Sequence, residues 1–408
     1  MMTIEEFLRS RSPVEILPTE SCSMYRTFQT LLDEILPGVR VVPIRSITAD
    51  VFCVRVNGVA NIIWDESYVA KAVDIAEILL GRTTDAAATT EALILSVMAD
   101  LLFDEGLYAD AWRAGTIAGV YLPSEIAQEP QATHFQNNRL TKNMALSFLF
   151  THEVAHVIQD YDSAEFHKFS SSIKDAITTY SAYLTRLSPI ERDALLAGEG
   201  FIFPGSSDVP VSRIDQFISD ELFIEEATAD FYAMNVVFFG GKRFDCSTAV
   251  DVAEFILALR MAMEIIRDIR VRTRRVAVEE REPPPIVAAE LMRGFLLRHL
   301  LFDIVDSFAQ TQTELSNVAD EFRARYDRLL HRRRLIFGGL PERLVDFGLG
   351  QIKAFRLRMI RVAALFGSQA DVTQRFRDSY LRLRGWQCAS DPRSLDGLLD
   401  ILPFITAL

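Results

Sequence analysis

The chain is poor in cysteine, histidine and positive charge, and it has no long uninterrupted apolar run. Its four cysteines, Cys22, Cys53, Cys246 and Cys388, are scattered over 408 residues without a Cys-x-x-Cys pair. That spacing excludes a cysteine zinc finger and a redox dithiol, suits a reducing compartment, and reads as small buried apolar residues. The apolar stretches are all broken by charge: EALILSVMADLLFDE by Asp100, AEFILALRMAMEII by Arg260 and Glu264, ELMRGFLLRHLLFDIV by Arg293, Arg298 and His299. None reaches the ~20 apolar residues of a membrane span. The opening MMTIEEFLRSRSP holds Glu5 and Glu6 and no apolar segment of signal-peptide length, so a cytoplasmic location without membrane association is expected. A formal charge of -13 argues against a whole-protein nucleic-acid binder, because phosphate affinity needs a positive surface.

The charge is unevenly spread. Between Asp320 and Arg384 there are fourteen arginines and one lysine against seven acids. Solvated faces of amphipathic helices account for such a segment, and a docking surface on these C-terminal helices for an acidic regulatory partner or RNA is the functional alternative. The chain exceeds the length at which one hydrophobic core is the default, so several domains are expected: 1–115, 116–245 and 246–408. No tandem repeat or low-complexity tract is present.

The pattern along the chain predicts an α+β fold that is predominantly helical, with a small N-terminal antiparallel sheet, a helical core and an all-α C-terminal half. Helices are expected at Thr3 to Arg9 and Met24 to Leu36. A sheet follows over about 39–64, where Asn57-Gly58 separates two β-branched runs and signals a hairpin. After Asp65, a good N-cap, the apolar period changes to that of a helix stopped near Gly81. ATTEALILSVMADLLFDEGLYADAWRAG reads as one further helix, 116–138 as loop, about 140–160 as helix, and 162–210 as helical, closing on a loop. Helices from about 213 or 216 to Phe238 and from Ser247 or Thr248 to Arg272 follow. A rigid turn at the three consecutive prolines then leads into helix after helix from Ile286 to about Arg384.

The chemistry sits in FLFTHEVAHVIQDYD. Histidines at i and i+4 project from one helix face, so the imidazoles of His152 and His156 can share one tetrahedral Zn²⁺. Glu153 lies beside them, placed to act as general base toward water whose pKa the ion lowers. The preceding MALSFLF is apolar enough for a buried helix, and Ala155 is small where bulk would crowd a metal.

A site of this type needs three protein ligands. Metzincins would place glycine at position 159 and histidine at 162, but this chain has Gln159 and Asp162. Downstream, DELFIEEATADFYAMNVVFF carries Glu225, Glu226 and Asp230 among apolar residues. Glu226 and Asp230 lie one turn apart, so the glutamate can bind metal while the aspartate accepts the second N–H of a ligand histidine. Glu226 is the leading third ligand, with Glu225 and Asp162 as alternatives. An oxyanion also needs a stabilising group. Tyr232, on the Glu226 helix, is the catalytic candidate for this, beside His134, Arg293 and His299, while His167 and His331 read as surface residues.

His-Glu-x-x-His followed by Glu-x-x-Ala-Asp, here EATAD at Glu226 to Asp230, resembles the gluzincin metallopeptidases over about residues 140–240. The pattern is similar to those of the CaaX-protease/heat-shock membrane peptidases, whose spanning helices are absent here, the ImmA/IrrE-type regulatory peptidases and the soluble phage-exclusion (Lit-like) peptidases. The resemblance implies a zincin-like fold for the helical core, one catalytic zinc held by His152, His156 and Glu226, Glu153 as base, and cleavage of an intracellular protein in phage defence or stress regulation. A zinc-containing sensor that acts on partners through its helical C-terminal half is the alternative of another class. The presence of a base at Glu153 argues against it.

Overall fold

The computed structural model describes residues 2–10, 13–18, 23–47, 50–82, 86–121, 135–159, 164–186, 188, 220–240, 244–278, 286–308, 312–337, 374 and 376–381. In chain order these form α1 (Ile4–Arg9), β1 (Val14–Ile16), α2 (Ser23–Ile35), β2 (Arg40–Ser46), β3 (Phe52–Val56), β4 (Val59–Asp65), α3 (Glu66–Leu79), α4 (Ala86–Asp104), α5 (Tyr108–Tyr121), α6 (Phe135–Gln159) and α7 (Ala164–Arg186). Helices α8 (Glu221–Phe239), α9 (Cys246–Val278), α10 (Ile286–Ser307) and α11 (Gln312–Arg332) follow, the last running into a π-helical turn at Arg333–Phe337. The protein is thus α+β and predominantly helical. No described helix is long and apolar enough to cross a membrane.

Local chemistry sets many of the element ends. Thr3 opens α1 with a capping box: its side chain accepts from Glu6 N, and Glu6 accepts from Thr3 N. Asn57 and Gly58 both have positive φ, 53° and 81°, the conformation a tight two-residue hairpin requires between β3 and β4. Asp65 caps α3 by accepting from Ser67 N and Tyr68 N, and it also receives the Ser46 hydroxyl. At the other end of α3, Gly81 adopts φ 72° and Arg332 donates to Leu79 O at 3.2 Å, satisfying a terminal carbonyl.

The sheet is mixed rather than antiparallel, in order β1-β2-β4-β3 with β2 and β4 parallel. Burial explains the order. VANIIWD is almost wholly buried and takes the interior position, whereas FCVRV is half-exposed and goes to the edge. Ile63 faces a cluster with Leu8, Val42 and Ile44 under α1. Its neighbour Trp64 turns to the opposite face, where Phe28 of α2 stacks on Phe150 of α6 with ring centres 3.8 Å apart. That aromatic contact anchors α6 to the sheet two residues before His152.

The single helix expected over 88–115 is two. Gly106, at φ 74°, ends the first, and α5 runs on to Tyr121, into the region expected as loop. The expected pieces at 122–134, 187 and 189–219, the proline turn at 279–285, and most of the chain beyond 337 lie outside the described residues. So do Cys22 and Cys388, while Cys53 and Cys246 are half-buried and not in a disulfide.

The chain divides into two compact units, each discontinuous: 1–82, 130–264 and 284–338 in one, and 83–129, 265–283 and 339–408 in the other. This division differs from the three consecutive regions expected, and the boundary placed after 115 falls inside α5. In the second unit Phe103 packs on Tyr108 and Tyr380, Trp112 on Phe376, and the Tyr380 hydroxyl donates to buried Asp100 at 2.6 Å. In the first, Arg325 of α11 pairs with Asp251, Glu254 and Glu321, and Arg333 with Glu264, so these members of the arginine-rich segment serve internal pairing.

Candidate metal centre

All the residues brought together at the site belong to the first unit. Helix α6 packs on β3 and β4 and against α8, which in turn meets α7 and α10. Asp220 starts α8 by accepting from Phe223 N, and the helix is apolar around most of its surface, as a helix enclosed by neighbours must be. Ala155 of α6 and Ala229 of α8 are fully buried in one cluster with Phe166. Small side chains at that crossing let the two helices approach closely.

The approach brings three donors together from two helices. His152 Nε2 and His156 Nε2 are 3.2 Å apart, and Glu226 places Oε2 3.5 Å from the first and Oε1 3.4 Å from the second. Four-coordinate zinc with bonds of roughly 2.0–2.1 Å separates its donors by roughly 3.3–3.4 Å. The two nitrogens stand near that separation, each faced by a different oxygen of Glu226, and the N/N/O donor set suits zinc; among the described residues this is the group that could hold a metal ion. Glu225 is exposed, and its backbone carbonyl accepts from Gln159 Nε2 at 3.0 Å. Asp162 and His134 lie outside the described residues.

The outer groups are as ordered as the donors. Asp230, buried, places Oδ1 2.9 Å from His152 Nδ1, a charge-pairing distance at which the ring N–H is not aimed squarely at the oxygen. Arg293 of α10, only 3% exposed, donates from Nε and Nη2 to the two Asp230 oxygens, both at 3.1 Å, and places Nη1 2.5 Å from Glu226 Oε2. Sequence reasoning weighed Arg293 for an oxyanion. The structure turns its guanidinium onto the carboxylates of α8 instead. Tyr232 is half-buried on the α7 side of α8, its ring packed against Phe166 and Phe169. His167, His299 and His331 are exposed.

Burial and charge together set the protonation of the cluster. Burial disfavours a charged His152, but Asp230 and Glu226 outweigh it and raise the imidazole to about 9. His156 moves the other way, lowered by burial and by the neighbouring His152. Glu153 is pushed up to about 8 by burial, with Glu226 and Asp50 adding to the shift and His152 and Arg293 opposing it. Burial would raise Glu226 and Asp230 too, yet both carboxyls lie well below the usual range, Glu226 held there by Arg293 and the two histidines and Asp230 by Arg293, His152 and Arg260.

Sequence reasoning missed one participant. Gln159 Oε1 lies 3.1 Å from His156 Nδ1. Its position three residues after His156, on the same helix face, was the available signal. No family model matches the chain, and no curated protein or solved structure is significantly similar to it.

Proposed function

We propose that the chain is a zinc-dependent peptidase that hydrolyses a peptide bond in an intracellular protein. The observation that carries this reading is the convergence of His152, His156 and Glu226 at zinc-like donor spacing, with buried Glu153 adjoining His152 on the same helix. A bound Zn²⁺ supplies a Lewis acid that polarises a carbonyl and lowers the pKa of water toward neutrality.

The chain's own residues do the rest. His152 and His156 would hold the ion through Nε2 and Glu226 through its carboxylate. Asp230 fixes the far side of the His152 ring, and Arg293 keeps Asp230 in place. Glu153, with its pKa pushed up to about 8, exchanges a proton near neutral pH. Its carboxylate takes a proton from water, and the resulting acid delivers it to the departing amine.

Purified protein should contain one equivalent of zinc. Glu153→Gln should retain that zinc while losing proteolysis, scored by comparing the proteomes of cells expressing the two forms. Protein purified without chelators that contains no zinc, or a Glu153→Gln form that cleaves as the parent does, would sink the reading.

A further inference from the structure

The side-chain amide of Gln159 touches both helices that carry ligands. Its Oε1 faces His156 Nδ1 at 3.1 Å, and its Nε2 donates to the backbone carbonyl of Glu225 at 3.0 Å, the residue immediately before the ligand Glu226. A backbone carbonyl only accepts, so the group facing Glu225 must be the amide NH₂. The other end of the amide is then its oxygen, which also only accepts, and the imidazole nitrogen opposite it must carry the hydrogen. One carbonyl on α8 thereby determines the tautomer of a histidine on α6: Nδ1 is protonated, and Nε2 presents its lone pair toward His152 and Glu226.

The two histidines are therefore held differently. His152 turns its Nδ1 toward a carboxylate clamped by Arg293, whereas His156 relies on a neutral amide fixed to the opposite helix. We propose that Gln159 is a positioning residue of the metal centre, which locks His156 in the tautomer and ring orientation that present Nε2 to a divalent cation. The inference rests on the zinc reading for its purpose, but the tautomer it assigns belongs to the protein itself.

The test uses the full chain as wild type, Gln159→Leu and Gln159→Glu. Leucine keeps the volume and removes the acceptor. Glutamate restores an acceptor for the His156 N–H but cannot donate to Glu225. Zinc affinity is read by competition with a chromophoric chelator, and the His156 tautomer by imidazole ¹⁵N chemical shifts on metal-stripped, mildly alkaline protein. Gln159→Leu should bind zinc about 10- to 100-fold more weakly and show mixed tautomers, at unchanged helix content. Gln159→Glu should recover the Nδ1–H tautomer and most of the affinity.

Wild-type affinity in Gln159→Leu, or a Gln159→Glu form as weak as the leucine one, overturns the proposal. So does a wild-type His156 protonated on Nε2. If wild type binds no zinc at all, the peptidase reading fails, and the ¹⁵N measurement still decides the tautomer.

Discussion

Arg293 grips Asp230 with two hydrogen bonds of 3.1 Å while its third nitrogen meets Glu226 at 2.5 Å. One buried cation from α10 thus holds two carboxylates on α8. Removing one partner of a buried pair costs about 3–5 kcal/mol, since the remaining charge is stranded. Arg293→Met should destabilise the metal-stripped protein by that order in urea titrations. Arg293→Lys should fall between the two, keeping the charge and losing the two-pronged geometry. A loss below about 1 kcal/mol for the methionine form would mean that the carboxylates find other compensation.

On the zinc reading proposed above, zinc and protons would compete for His152. Its pKa of about 9 leaves it mostly protonated at neutral pH, and Glu153, at about 8, is mostly protonated as well. Coordination requires a bare Nε2, and a nearby dication favours an ionised Glu153. Zinc binding at about pH 7 should therefore release between one and two protons, and apparent affinity should rise by about tenfold or more per unit up to about pH 8. Calorimetry in buffers of different ionisation enthalpy measures this. Buffer-independent heats would contradict it.

Asp65 should make the fold less stable as pH rises. Burial lifts its carboxyl from 3.8 to about 6, against the hydrogen bonds from Ser46, Ser67 and Tyr68 that favour the ionised form. Between these values the folded protein retains a proton that the unfolded chain has lost. Stability therefore falls through that window, by about 3 kcal/mol at most. Asp65→Asn keeps an acceptor for the α3 cap and cannot ionise, so its unfolding free energy should vary less between about pH 4.5 and 7 than the parent's. Equal pH slopes would contradict the assignment.

Gly294→Ala should destabilise the protein although alanine is the better helix former by about 1 kcal/mol. A Cβ there would meet Glu264 Oε1 at 2.4 Å, and that carboxylate is buried and paired with Arg333 at 2.9 Å. The clash should outweigh the propensity gain, for a net loss of about 1–2 kcal/mol by thermal unfolding. An unchanged or raised Tm would show that Glu264 swings aside freely.

Features that depend on neighbours in sequence were legible. The capping box at Thr3, the Asn57-Gly58 hairpin, the Asp65 cap and the placement of His152 and His156 on one helix face need only short-range geometry. Glu226 and Asp230 were legible as a pair one turn apart, since an apolar helix rarely tolerates two carboxylates without a partner. The surroundings of Tyr232 were less so, because helix position does not say which neighbours a ring packs on, here Phe166 and Phe169 of α7. The parallel pairing of β2 with β4 was likewise hidden, since a hairpin signal says which strands are joined and not which strand lies beside them.

The sequence by itself determined the donor types, their helical spacing and the buried character of the helices that bear them. Periodicity and caps act over a few residues, so these followed from the order of amino acids. Tertiary structure alone decided that Glu226 meets both histidines, that Arg293 serves the α8 carboxylates, and that Gln159 sets the tautomer of His156. Each of these depends on how closely α6, α8 and α10 pack, and that distance is set by the small residues and side-chain volumes at their crossings rather than by local sequence.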